Sequence, residues 1–302
     1  IYSFHMPFLM TISGYLFWNS VHSKSLVALV KNRLRTIGTP MLLWGIGGGI
    51  VDNGIGYFTN LTPSHHHIYR YIFDFWFLWA VLVISILWAI CVSPDRELNR
   101  STKCLVFVVV LYFAYRFHGA LVGYMFPYFV GGYYFCEYAT KGKLTNRYYS
   151  LCVCCFLVLL CFYDRQHYIY ISGLNIFRSV NGMIGQSVIN VYRWCIGFVG
   201  CGVIMKALCC KYLGTLTVRK YFVGLGKYSL QVYILQNFIL ERFISCLMPK
   251  VVLFYGYNPL NDNIWLFSLV ISPLIAYLYG SLLTAICFLI EKCGYNRILF
   301  GR

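Results

Sequence analysis

The stretch Ser3-Phe4-His5-Met6-Pro7-Phe8-Leu9-Met10-Thr11-Ile12-Ser13-Gly14-Tyr15-Leu16-Phe17-Trp18 decides how this chain is read. It is apolar over a length that can cross a bilayer, and it carries one titratable side chain, His5, near its start. Pro7 suits the first turn of a helix, where its missing N–H leaves no bond unmade, so the pattern predicts a helix starting at or just before His5. An ionisable group is costly where lipid replaces water, which makes His5 a functional-site candidate. The sequence lacks an initiator Met and opens almost inside this helix. It is therefore expected to be part of a longer protein whose preceding segment includes one more helix.

Composition extends the same reading. Of the 302 residues, 60% are hydrophobic and only 11% charged, against about 25% charged in soluble chains. That much apolar surface must face lipid, so a polytopic membrane protein is expected. Most of the 14 cysteines lie in apolar runs such as Cys152-Val153-Cys154-Cys155, where thiols act as small hydrophobes rather than as a disulfide framework. No Cys/His spacing forms a four-ligand metal set, and His65-His66-His67 reads as a polar loop.

The formal net charge of +16 is not a nucleic-acid patch. Windows of membrane length give about nine spans, near 1–18, 37–57, 71–92, 104–117, 119–138, 148–163, 185–208, 222–245 and 264–290. Most Lys and Arg fall in alternate connections: Lys24, Lys31, Arg33 and Arg35; Arg96, Arg100 and Lys103; Lys141, Lys143 and Arg147; Lys206, Lys211, Arg219 and Lys220; then Lys292, Arg297 and Arg302. Under the positive-inside rule these are cytoplasmic, and they are also drawn to anionic headgroups. Residue 1 is then outside and the C-terminus inside. The expected fold is an all-α membrane protein, a bundle of about nine transmembrane helices, about ten with the upstream one. It forms a single integral-membrane domain over 1–302.

This topology assigns depth to the intramembrane polar groups. His5, Asp52, Asp74, Arg116, His118, Glu241 and Arg242 fall near outer helix ends, where opposite charges can pair. Arg193 lies deeper and is expected to face a cavity. On the inner side, Arg33 and Arg35 precede Pro40-Met41-Leu42-Leu43-Trp44, and guanidinium groups grip phosphates in pairs of bonds, so these two are candidates for holding a phosphorylated donor. Gly45, Gly47, Gly48 and Gly49 sit within a helix and suit close helix packing.

Five segments, in this order, resemble the acyltransferase-3 family of multi-pass membrane O-acyltransferases, which includes fucose-4-O-acetylase-like sugar acetylases. They are Phe4-His5-Met6-Pro7-Phe8 with Ile12-Ser13-Gly14-Tyr15-Leu16; Arg33-Leu34-Arg35 with Thr39-Pro40-Met41-Leu42-Leu43-Trp44; Phe75-Trp76-Phe77-Leu78-Trp79; Phe126-Pro127-Tyr128-Phe129-Val130-Gly131; and Leu225-Gly226-Lys227-Tyr228-Ser229-Leu230 with Val232-Tyr233-Ile234-Leu235. Members carry an Arg and a His about ten residues apart in a first helix, and that His is usually assigned to catalysis. The present sequence begins after that position. It also has Gln236 where relatives often have His.

The resemblance implies transfer of an acyl group, usually acetyl, from acyl-CoA to a hydroxyl of a sugar or cell-envelope glycan at the plasma (inner) membrane. Acetyl-CoA would be a co-substrate and no cofactor would be bound. His5 would assist as a base, since neutral imidazole titrates near working pH. Arg33 and Arg35 would hold the donor, and Ser13, Asp74, Trp76, Arg193, Ser229 and Tyr233 are cavity or acceptor candidates. The alternative is a transporter or flippase for lipid-linked glycans, or a non-catalytic member. Transporters more typically show internal repeats, and this sequence has no such symmetry.

Overall fold

The computed structural model describes residues 5–59, 68–93, 98–116, 120–140, 146–163, 180–209, 223–224, 226–237, 239 and 270–301. Among these the chain is all-helical, with no strand. In chain order the helices are α1 (His5–His22), α2 (Leu26–Arg33), α3 (Thr39–Thr59), α4 (Ile68–Phe73), α5 (Trp76–Val92), α6 (Arg100–Arg116), α7 (Ala120–Thr140), α8 (Asn146–Leu160), α9 (Val180–Cys209), α10 (Ser229–Gln236), α11 (Ser272–Lys292) and α12 (Asn296–Phe300).

Local chemistry sets several of these boundaries. Helix α1 is described from His5 onward and includes Pro7. At the start of α6, Asn99 Oδ1 accepts hydrogen bonds from the Thr102 backbone N–H at 2.8 Å and from its hydroxyl at 2.6 Å, capping a helix end that would otherwise leave donors unmet. Between α2 and α3 the backbone widens into a π-helical turn, Leu34–Gly38. Pro40 follows closely and has no N–H to return to the preceding turn, which is where such bulges belong.

Two helices are by themselves long and apolar enough to cross a membrane, through Ser187–Ile204 and Pro273–Lys292. Trp76–Val92 and Tyr149–Leu160 are apolar but shorter. Segments 1–18, 37–57, 71–92, 104–117 and 119–138 fall largely on helices and 222–245 is only partly described, so the expected bundle of nine spans is not established among the described residues.

The chain divides into two compact units: Ile1–Leu34 with Trp76–Leu213, and Arg35–Phe75 with Gly214–Arg302. In the first, α1 packs along α7, α5 and α9, α6 along α7, and α8 along α9. Its centre is aromatic: Phe17, Trp88, Phe126 and Phe129 are buried. Phe17 meets Phe129 with ring centres 5.2 Å apart, and Trp88 meets Phe126 edge-on at 5.9 Å. Such pairs contribute about 0.5–1.5 kcal/mol each beyond the area they cover. Glycines let the backbones close in: a Cβ on Gly14 would overlap the Phe129 carbonyl oxygen, and one on Gly132 the Thr11 carbonyl oxygen.

In the second unit α3 packs against α4 and α12, and α10 against α11. Gly45 lies so close to Ile72 that a Cβ would not fit, and this glycine serves helix packing as expected. The Trp44 indole donates to the Leu299 carbonyl at 3.1 Å and its ring stacks on Phe300 at 5.8 Å. Gly301 adopts a left-handed φ of 67° against the Arg35 carbonyl, a place open only to glycine.

Candidate functional site

In the first unit, Asn190, Arg193, Trp194 and Gly197 share one face of α9 by their spacing of three and four residues. That face meets α7. The Tyr128 hydroxyl donates to the Arg193 carbonyl at 3.0 Å, and the Trp194 indole donates to the Tyr124 carbonyl at 3.1 Å. Gly197 leaves room for the Tyr128 hydroxyl, and Gly131 for the Phe198 ring. Arg193 is thereby held in the interior, 5% exposed, with Asn190 one turn away at 1%. A buried guanidinium can hold a carbonyl oxygen or an anion, which keeps Arg193 a candidate, although it lines neither of the cavities found among the described residues.

Helix α1 contributes smaller polar groups. Thr11 Oγ1 donates to the Pro7 carbonyl at 2.8 Å and lies 3.7 Å from the Cys201 thiol of α9. Ser13, a cavity candidate, turns its hydroxyl back to the Leu9 carbonyl at 2.9 Å. His5 is the first described residue of α1, and its side chain lies outside the described residues.

The C-terminal ends of α1 and α7 and the start of α6 enclose a cleft of about 1230 Å³. Trp18 and His22 come from α1, Trp88 from α5, Arg100, Lys103 and Phe107 from α6, and Tyr133, Tyr134 and Glu137 from α7. Sequence reasoning took Arg100 and Lys103 only as topological charge and missed the cleft. The available signal was their spacing of one helical turn beside Asn99, with Tyr134 and Glu137 similarly spaced.

Arg33 lies in the first unit, its guanidinium 5.4 Å from the centre of the Phe17 ring. Burial pushes its pKa below the ordinary value, and Nε has no hydrogen-bond partner among the described residues. Phe17 in turn touches Tyr133 at 6.3 Å, so Arg33 stands one ring behind the cleft wall. Trp76, half-buried at the start of α5, packs edge-on to Phe77 at 5.9 Å.

The other candidates belong to the second unit. Arg35 is exposed on the π-helical turn, and Asp74 is exposed at the break between α4 and α5. Tyr233 packs on Phe75 at 6.5 Å, and Ser229 is exposed at the start of α10. The Gly226-Lys227-Tyr228 segment binds the end of α11: Lys227 Nζ contacts both Glu291 carboxylate oxygens, at 2.8 and 3.0 Å, and the Tyr228 hydroxyl donates to the same carboxylate. Deeper, Gln231 Nε2 reaches Asn296 Oδ1 at 3.5 Å. Among the expected outer-layer groups, Arg116 is exposed; the side chain of Asp52, and His118, Glu241 and Arg242 entirely, lie outside the described residues, as does His65-His66-His67. Among the described residues no cluster of His, Cys, Asp and Glu could hold a metal ion.

Comparison with known proteins gives two matches. A family model described as an acyltransferase domain matches residues 1–292. The chain is also 25% identical over 314 aligned positions to the nodulation protein NolL of Sinorhizobium fredii (strain NBRC 101917 / NGR234), an alignment spanning all of this chain and 81% of that protein. No solved structure matches.

Proposed function

The chain belongs to the acyltransferase-3 family, a membrane protein family, and from that premise we propose that it is an integral-membrane O-acyltransferase moving an acetyl group from acetyl-CoA to a hydroxyl of an exported or cell-surface glycan. The observation that carries the reading is the family match over nearly the whole chain.

A bundle of about nine spans fits the surface chemistry. Leu105, Val108, Tyr112 and Phe113 on α6 and Leu151, Leu157 and Val158 on α8 are exposed, as is much of α11. Apolar faces of this extent suit contact with lipid. The basic connections would lie on the cytoplasmic side of the plasma membrane, with the C-terminus, and residue 1 outside.

A charged thioester donor is cytoplasmic, so its phosphates would meet inner-face cations, Arg33 and Arg35 among them. The acceptor hydroxyl would approach from the other side. A hydroxyl is a poor nucleophile until a neutral imidazole takes its proton, and His5 is proposed to orient or assist that step. As the hydroxyl oxygen attacks the thioester carbonyl, negative charge develops on the carbonyl oxygen. Arg193 is the buried cation suited to stabilise it. The C–S bond then breaks, the thiolate takes up the proton, and the O-acyl product leaves.

The test is glycan analysis of cells with and without the gene. Alkali-labile O-acetyl groups present only with the gene support the reading, and identical O-acetyl content in both refutes it.

A further inference from the structure

We propose that the outer face of α12, with the end of α11 that leads into it, is a docking surface for anionic phospholipid at the membrane boundary; this rests on the membrane-spanning reading above. Three observations in the second unit select that partner.

The first is position. Pro273–Lys292 is long and apolar enough to cross a bilayer, and its basic end, Lys292, suits the level where such a span meets the headgroups. The chain then folds back at once. Gly294 takes a left-handed φ of 78°, its N–H donates to the Glu291 carbonyl at 3.0 Å, and the Tyr295 N–H donates to the Ile290 carbonyl at 3.2 Å. This is the glycine-capped end of a helix. Helix α12 begins at the next residue, Asn296, so it stays near the level at which α11 leaves the lipid.

The second is that α12 has two distinct faces. Its inner face is braced: Gln231 Nε2 reaches Asn296 Oδ1 at 3.5 Å, the Trp44 indole donates to the Leu299 carbonyl at 3.1 Å, and Phe300 is fully buried. The helix cannot roll without breaking these contacts. Its outer face carries Tyr295 and Ile298, 58% and 61% exposed and three residues apart, with Arg297 exposed between them. Apolar tips beside cations on one helix face suit the headgroup layer, where the rings and alkyl groups dip and the charges stay wet.

The third is charge. Lys292 and Arg297 are exposed and have no ion pair among the described residues, while the adjacent carboxylate, Glu291, is held by Lys227 at 2.8 Å. Two uncommitted cations attract an anionic headgroup, and a zwitterionic one offers an amine that offsets its phosphate. A free phosphate would leave Tyr295 and Ile298 in water, whereas a phospholipid covers them with its acyl chains.

The test titrates the whole chain, purified in detergent, with phosphatidylglycerol or phosphatidylcholine, and reads bound lipid by native mass spectrometry. Phosphatidylglycerol should bind more tightly. Lys292→Gln and Arg297→Gln should each weaken its tightest binding about fivefold, the loss expected for one cation at an anionic surface. Arg297→Lys keeps the charge and should retain the binding, which separates charge from folding. Lys24→Gln, removing an exposed cation of the first unit, should leave it unaltered. Equal binding of the two lipids overturns the proposal, as does unchanged binding in both Gln variants or an equal loss in Lys24→Gln. Competition by glycerol phosphate, which has no acyl chain, at the lipid's own concentration also overturns it, since the surface would then take any phosphate. Alkaline carbonate washing of membranes distinguishes this failure from that of the underlying reading. A chain that stays in washed membranes but does not prefer the anionic lipid loses only the docking surface, and a chain released by the wash loses the span as well.

Discussion

Gly14 of α1 rests on the carbonyl oxygen of Phe129 in α7, so closely that an added Cβ would overlap it. The contact is reciprocal, with Gly132 of α7 against the Thr11 carbonyl. This pairing sets the distance between the two helices whose far ends form the cleft. Replacing Gly14 or Gly132 by Ala should lower unfolding stability by about 1–3 kcal/mol, the usual range for forced overpacking. Gly47→Ala, inside α3 where a Cβ meets open space, should leave it unchanged or raise it by up to about 1 kcal/mol, because Ala favours helix over Gly. Thermal denaturation in detergent checks both, and equal effects at Gly14 and Gly47 would contradict the packing account.

Arg193 is the clearest internal charge of the first unit. Arg193→Gln should reduce turnover about 10- to 100-fold, the scale of losing one electrostatic stabiliser. The donor and acceptor KM should move little, because the interaction is assigned to the transition state. Steady-state kinetics of purified protein measure this split. A change confined to KM would mean that Arg193 binds a substrate in its ground state.

Helix positions in the first unit were largely legible in the sequence. Arg193, expected to face a cavity, is buried, and it lines neither of the cavities found among the described residues. The cleft was not legible. Arg100 and Lys103 are single charges at a helix start, and only tertiary packing brings Trp18, Trp88 and Tyr134 around them. Nor was the role of Lys227 readable, because Glu291 lies 64 residues away along the chain.

The Lys227–Glu291 pair is solvent-exposed, with Tyr228 sharing the carboxylate. Glu291→Gln should lower the melting temperature slightly, and less at high salt, because exposed ion pairs are weak and screened. Combining it with Lys227→Gln should add little, since both changes remove one interaction. Melting curves at low and high ionic strength decide this, and full additivity would show that the two residues act separately.

Arg33 lies over Phe17, one ring behind the cleft. Arg33→Gln should raise the donor KM severalfold and leave the acceptor KM nearly unchanged, whereas Arg33→Lys, which keeps the charge, should recover most of the loss. Initial-rate kinetics with each substrate varied in turn provide the check. Equal shifts in both KM values would reassign Arg33 to folding.

Sealed membrane vesicles of known orientation give the most direct measurement. Acetyl-CoA labelled in the acetyl group is supplied only to the face bearing the basic loops, and O-acetyl label is then sought on glycan enclosed at the opposite face. The account predicts alkali-labile label across the membrane, dependent on the protein and diminished by His5→Ala. Label no greater than in vesicles lacking the protein would contradict it.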